Sequence, residues 1–478
     1  MTFRQHVTSV ALLGGCQSPK FENNDSPLDT LLDQLSNREP ARRLLDTIAL
    51  VVCYEEAGVI PLQAPPAVQP AVADSRPVIS ATAAGLLASL LADRRPLLSE
   101  WLSLLLQSGM RLYEETVPAL LDVATTDRTL RSAVREVAGP LGQWLAQFRP
   151  EWAWLQGSEL NESDWENGTP DQRLDFLRYL RSSNPARATE LASSTWASES
   201  TDMKRQILQA FTVGRYLADE QFLEAALDDR SIVVRRLAAD QLASIPGSKL
   251  IQRMSERLAG RLSLTKVLNV APFEELDDAM LRDGIEKKPS GTTLGERAWW
   301  TMQALAAVPP GKWVKDFSLT PDHLIEAAKE GQWSSLLLEG WRTAAIRHRD
   351  EMWLQSLAGQ SATVAETSAI FRALSDNARE TTMTRLWQKD AKAWLSVVPV
   401  YCSHQWTRHF TQDFIAIVEK NLPIDATDTF TYQLKPLLRA ASSLAAPDAD
   451  KLSAAEPFAE FTDTLNFRRA MRQALRQE

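Results

Sequence analysis

The chain is 478 residues long, 44% hydrophobic and 24% charged, with a formal net charge of −9 and a pI near 5.4. That length exceeds one core, so several domains or one extended repeat array are expected. The acidic balance disfavours a nucleic-acid groove, which needs clustered Lys and Arg against phosphates, and no apolar run approaches the roughly 20 residues that span a bilayer.

Residues 1–58 read as an N-terminal helical segment. Val10 to Cys16, VALLGGC, has the look of a lipoprotein signal that would anchor the chain through Cys16. Only Arg4 supplies a basic start, however, and Thr8 and Ser9 interrupt the apolar run. The same residues also read as a short amphipathic helix ended by Gly14-Gly15. A cytoplasmic protein is the expectation, with the lipid anchor as the alternative. Cys16, Cys53 and Cys402 are far apart and odd in number, which implies no disulfide framework and fits a reducing compartment. A helix is expected from Glu39 to Gly58, with Leu44, Leu45, Ile48, Val51 and Val52 as its apolar stripe.

Residues 59–80 are rich in proline, which forbids a helix and suggests a linker or a belt lying over helices. Residues 81–156 form a Trp-rich helical region. Pro96 and Pro118 stand where first-turn prolines belong, and Trp101, Leu104 and Leu105 share one face. Trp144, Trp152 and Trp154 could make a ligand platform, but such clusters more often plug the end of a helical layer. A turn-rich acidic stretch then marks a boundary.

Residues 169–262 carry a repeat. Arg173, Lys204 and Arg235 are spaced by 31, as are Phe176, Ile207 and Ala238, then Leu177, Leu208 and Ala239, then Leu180, Phe211 and Leu242. A period of this length holding two short helices cannot bury its faces alone, so the units must stack. The third unit shows the hairpin elbow best. Asp228-Asp229 closes one helix, Ser231 is the expected N-cap of the next, and Val234, Leu237, Ala238, Leu242 and Ile245 form its apolar face. Pro246-Gly247 should stop it.

Residues 263–478 form a C-terminal helical region without a clean period. SLTKVLNVAPF suggests a short extended piece and GIEKKPSGTT a surface loop. A helix carrying Trp299 and Trp300 should stop at Pro309-Pro310, and later breaks are expected near Gly359, Pro399, Pro423 and Pro447. FRRAMRQALRQE reads as a basic amphipathic helix that could meet a membrane or a partner, with a solvated terminal helix as the expectation.

Little points to catalysis or to a metal. The one His cluster runs from Cys402 through His404 to His409. It offers at most three ligands where zinc wants four, and a Cys402/His404 nucleophile pair would need a third group to orient the base. Phosphate-binding glycine loops and the usual hydrolase and zinc motifs are missing from the sequence. Catalytic, cofactor and metal residues are therefore expected to be none. Acidic pairs such as Asp228-Asp229 read as caps and soluble surface. The basic ladder of Arg173, Lys204 and Arg235, with Arg236 beside it, could track a phosphate backbone or hold a partner. Alternatively it bridges to acids in the neighbouring turn, which Asp228-Asp229 and Asp202 could supply.

Four stretches resemble, in order, a bacterial family known as domain of unknown function 5691: ALLGG, RSAVREVAGPLGQWLAQFRPEWAW, ALDDRSIVVRRLAADQLASIPGSKLIQRM and LGERAWWTMQALAAVPPGKW. The segment HQWTRHFTQDFIAIVEKNLP fits less sharply, and Gly-Gly-Cys departs from the polar residues usual there. The resemblance implies HEAT-like helical repeats, no assigned activity, and a genomic setting beside MoxR-type AAA ATPases, von Willebrand A-domain proteins and SWIM zinc-finger proteins. The expectation is an all-α protein, an α-α superhelix of the HEAT/ARM type with irregular ends. Its expected role is a non-enzymatic scaffold or adaptor for a protein partner, with a nucleic-acid-associated HEAT protein as the alternative.

Overall fold

A computed structural model describes residues 8–9, 11–12, 27–57, 69–156, 162–214, 216–288, 293–360, 364–421, 429–449 and 456–476. Val10, Gly14-Gly15-Cys16 and most of the Pro-rich stretch lie outside these, as does Pro423. The described chain is all-α apart from one small hairpin. It divides into two compact units, Met1–Ala71 and Val72–Glu478.

In the first unit, α1 (Pro27–Asp33) packs on α2 (Pro40–Ala57). Helix α2 matches the expected span, but its buried face differs in one place. Val51 and Thr47 are buried, whereas Leu45 is 68% exposed and stands off the stripe.

The second unit opens with a belt. Pro77 and Ile79 exchange backbone hydrogen bonds with Arg111, an isolated parallel bridge. The belt lies against α6 (Arg131–Leu145), which follows α3 (Ala81–Ala92), α4 (Leu98–Ser108) and α5 (Val117–Thr126). Helix α6 breaks at Gly139, whose φ is 53°, just before Pro140. A proline removes an N–H and orphans the carbonyl four residues back. Here that carbonyl, Glu136, accepts from Arg76, as does Val137. Asp74 holds the same guanidinium at 2.6 Å. Pro96 and Pro118 both occupy first-turn positions, as expected.

Next come α7 (Glu162–Asn167), α8 (Pro170–Ser183), α9 (Pro185–Thr195), α10 (Thr201–Ala210), α11 (Glu220–Ala226), α12 (Ile232–Leu242) and α13 (Lys249–Leu258). Helix α8 packs on α9 and α10, α10 on α12, α11 on α12, and α12 on α13. The 31-residue register is visible in the caps. Thr169 accepts from the Gln172 N–H and Ser200 from the Met203 N–H. Ser231 holds the third position and makes no side-chain cap, contrary to expectation. Instead Asp229 accepts from the Ser231 N–H and fixes the turn from outside the helix. The rest of the elbow is as read: Val234, Ala238, Leu242 and Ile245 are buried and Leu237 half-buried.

The extended piece is an antiparallel hairpin, β1 (Leu262–Leu264) with β2 (Leu268–Val270). The helices then run α14 (Asp278–Arg282), α15 (Glu296–Ala307), α16 (Gly311–Phe317), α17 (Pro321–Lys329), α18 (Ser334–His348), α19 (Glu351–Gln360), α20 (Val364–Ala373), α21 (Asp376–Leu395), α22 (Val398–Tyr401), α23 (Arg408–Lys420), α24 (Thr429–Ser442) and α25 (Ala459–Ala474). Contacts pass from α13 to α15, α18, α19 and α21; α21 packs on α22 and α23, α22 on α24, α24 on α25, and α25 on α3.

The terminal helix is therefore docked, where the sequence suggested a solvated one. Arg468 and Met471 are wholly buried. Two apolar cores meet along this helix. Phe461 and Leu465 belong to the core that runs from Trp165 onward, while Met471 and Leu475 belong to the core of the first four helices of this unit. A run of basic residues looked solvated because four arginines dominate its sequence; their partners, above all Glu100, lie far away in the chain.

Candidate functional site

The basic ladder is the leading candidate binding feature in the sequence. Arg173 on α8 bonds Glu199, just before α10, and its guanidinium lies 4.6 Å from the Trp165 ring centroid. One register later, Lys204 on α10 bonds Asp229, just before α12, at 2.8 Å, and sits 5.2 Å from the Trp196 ring. Trp165 and Trp196 are themselves 31 residues apart, so cation, acid and ring recur together. Both pairs are largely withdrawn from water: the four side chains are 18%, 10%, 15% and 8% exposed. Arg235 breaks the pattern, donating to the carbonyls of Asp229 and Arg230 in its own turn. Arg236 alone is open, 57% exposed and paired with Glu286 at 2.7 Å.

This geometry gives Arg173 and Lys204 a role inside the molecule. Each ties one hairpin to the turn that opens the next, the arrangement expected if a repeat must hold its stacking register. A phosphate reaching either cation would have to break a partly buried ion pair, which costs more than meeting a free surface charge.

The Asp229 half of the second pair can be checked by pH. Burial works against its charge, but the Lys204 ammonium and the Ser231 N–H outweigh it and hold its pKa below the usual value. A carboxyl with a depressed folded pKa adds stability above its unfolded pKa and loses that stability as pH falls through the folded one. Asp229→Asn is therefore expected to lower the urea midpoint near neutral pH. The two curves should converge as pH drops below the carboxylate range; a constant gap down to low pH would contradict the pairing.

A stronger lock escaped the sequence. Arg181 at the end of α8 is wholly buried, with Asp219 before α11 almost so. It donates to both Asp219 carboxylate oxygens, at 3.0 and 2.7 Å, and to the Val213 and Gly214 carbonyls. Thr189 on α9 donates to the same carboxylate at 2.6 Å. Phe211 stacks under the guanidinium at 4.2 Å. Gly214 has φ 57°, and a Cβ there would stand 2.7 Å from the Arg181 carbonyl, so only glycine fits the turn.

The tryptophan cluster is structural. Trp152 is buried and donates to Asp122, and Trp154 donates to Thr125. Trp144 packs edge-on against Phe148.

The Cys402–His409 stretch does not converge. His409 is 86% exposed, whereas His404 is 10% exposed between Glu380 and Asp376. Glu380 also accepts from the Thr407 N–H and hydroxyl. Burial alone would raise the Glu380 pKa, but His404 and Thr407 hold it below the usual range. The group pins the loop before α23 to the first turns of α21. Among the described residues no cluster of three or more His, Cys, Asp or Glu could hold a metal.

Cys402 is fully buried, and desolvation with the nearby Glu380 carboxylate pushes its thiol up to about 12. The thiolate is the reactive form. Iodoacetamide at mildly alkaline pH is therefore expected to label exposed Cys53 in the native protein and to spare Cys402 until denaturant is added. Peptide mass mapping reads this directly, and native labelling of Cys402 would contradict its burial.

A family model described as "Family of unknown function (DUF5691)" matches residues 6–475. No curated protein and no solved structure matches the chain.

Proposed function

We propose that this chain, which belongs to the DUF5691 family over nearly its whole length, is a non-enzymatic scaffold or adaptor. In this reading it is a HEAT/ARM-like α-solenoid that holds a protein partner on the ridge of loops and helix ends left exposed by stacked hairpins. The observation that carries the reading is the repeated lock of Arg173–Glu199 and Lys204–Asp229. It commits the repeated cations of the register to rigidity, and a rigid extended surface is what such arrays offer to partners.

Large apolar side chains at the hairpin elbows support it further. Val213, Leu217, Ile232 and Val233 are 43 to 63% exposed. Exposed apolar groups in the turns between helices suit protein contact better than phosphate contact. The family resemblance supplies the partner class, a MoxR-type AAA ATPase or a von Willebrand A-domain protein, in the cytoplasm.

The test is affinity capture with the full chain, with and without nuclease, beside an Ile232→Asp/Val233→Asp variant. The reading expects an AAA ATPase or von Willebrand A-domain protein in the catch, unaffected by nuclease and lost from the variant. A catch of nucleic acid, abolished by nuclease and by Arg236→Gln, would overturn it in favour of a nucleic-acid-associated protein.

A further inference from the structure

The docked terminal helix buries its apolar side, and part of its charge faces a groove of about 820 Å³. Helix α4 forms one wall. Ser99, Ser103 and Gln107 lie four residues apart along it and share one face. Arg472 on α25 and Arg476 just after it line the other wall, and Gln405, in the loop before α23, also borders the groove. Leu104 and Leu475 add apolar lining.

Charge is out of balance here. The locks described above join one cation to one acid: Arg173 to Glu199, Lys204 to Asp229, Arg181 to Asp219. Beside the groove a single carboxylate, Glu100, serves two guanidinium groups. Arg468 donates to both of its oxygens, at 2.6 and 3.2 Å, and Arg472 donates to Oε1 at 3.0 and 3.3 Å. Burial draws Arg468 below the ordinary arginine pKa; Glu100 counters this, and the charge of Arg472 adds to it. Arg469 spends its guanidinium on the Pro447 and Ala449 carbonyls. Arg476 is exposed and has no acid partner among the described residues. Thus four arginines from Arg468 to Arg476 face the one acid of α4, in a protein whose net charge is −9. Two of them stay open to the groove: Arg476, and Arg472 with 36% of its side chain exposed.

We propose that this groove docks an acidic segment of a partner protein in extended form. The α4 row from Ser99 to Gln107 runs about 12 Å, room for about four residues of extended chain. Carboxylates of the segment accept from Arg472 and Arg476 in charge-assisted bonds. Its backbone meets the serine and glutamine side chains, and an apolar side chain lies on Leu104 and Leu475. Two open cations are few for a phosphate backbone, whose hold grows with each phosphate neutralised. A recess between helices also presents no apolar face to bury in a lipid surface. The inference rests on the scaffold reading and gives its partner a second, acidic contact.

The experiment follows the anisotropy of a fluorescein-labelled peptide, Glu-Asp-Leu-Glu-Asp-Leu-Glu-Asp, titrated with the full-length protein. Saturable binding that weakens with added salt is expected. Arg476→Glu and Ser103→Glu, both at exposed side chains, should each weaken it more than tenfold with the melting temperature unchanged. The same peptide with Gln and Asn in place of its acids should not bind. No saturable binding, binding indifferent to both variants, or equal binding of the neutral peptide overturns the proposal. It also fails if a DNA duplex or phosphatidylserine vesicles bind where the peptide does not and lose that binding in Arg476→Glu. The two readings fail separately. A partner captured undiminished by the Arg476→Glu chain, with no peptide bound, sinks the groove alone; peptide bound at the groove with no partner captured sinks the proposed partner class alone.

Discussion

Arg181→Met is expected to destabilise the protein by about 3–5 kcal/mol, the cost of leaving one charge of a buried pair uncompensated. The carboxylate left behind would be Asp219, which keeps Thr189 as a donor but loses both bonds to the guanidinium. The Val213 and Gly214 carbonyls lose a donor at the same moment, and a buried acceptor without a partner adds its own penalty. A shift of the urea midpoint by circular dichroism reads the loss. The double variant Arg181→Met/Asp219→Asn sharpens the test, because removing both charges removes the uncompensated one. It should recover a large part of the deficit. If the double variant is worse than the sum of its parts, the two residues do not act as a pair.

Why this lock is invisible in the sequence is instructive. The register made Arg173 and Lys204 conspicuous because they repeat. Arg181 has Thr212 one period later, and Asp219 has Leu250. Nothing periodic marks either, so an arginine near a helix end reads as an ordinary surface residue. Its burial comes from one feature of one turn, the glycine at 214 that lets the chain fold back onto the guanidinium.

By contrast, the elements themselves were legible. First-turn prolines at 96 and 118, the extended piece that the structure pairs as a hairpin at 262–270, and the helix with Trp299 and Trp300 all stand where local chemistry puts them. Local rules reach as far as neighbouring residues reach. Ser231 shows their limit: a good capping residue is displaced from its role by Asp229, which serves the turn and the Lys204 bridge together. The groove beside Arg472 lies beyond local reading as well, because its walls join residues 372 positions apart in the chain.

The other large effect is expected at the C-terminus. Truncation before α25 should release the first four helices of the second unit from the rest of it. Helix α25 is the element shared by the two apolar cores, with Phe461 and Leu465 on one and Met471 and Leu475 on the other. Arg468, wholly buried, reaches Glu100 on α4 and the Ser442 and Ala445 carbonyls at the end of α24. Arg472 adds a second bond to Glu100, and Arg94 bonds Asp463 at 2.7 Å. On the other side the chain runs from those four helices to α7 between Gln156 and Glu162, a tether that spans at most roughly 20 Å. Without α25 they keep that tether and lose the packing. Small-angle scattering of the truncated chain is expected to show a larger radius of gyration, with new proteolysis between residues 156 and 162. Glu100→Ala tests the same contact without deleting a helix. Leaving Arg468 buried and unpaired should cost about 3–5 kcal/mol and produce the same cleavage at lower denaturant. An unchanged radius and an uncut chain in both variants would show that these helices hold their place without the terminal one.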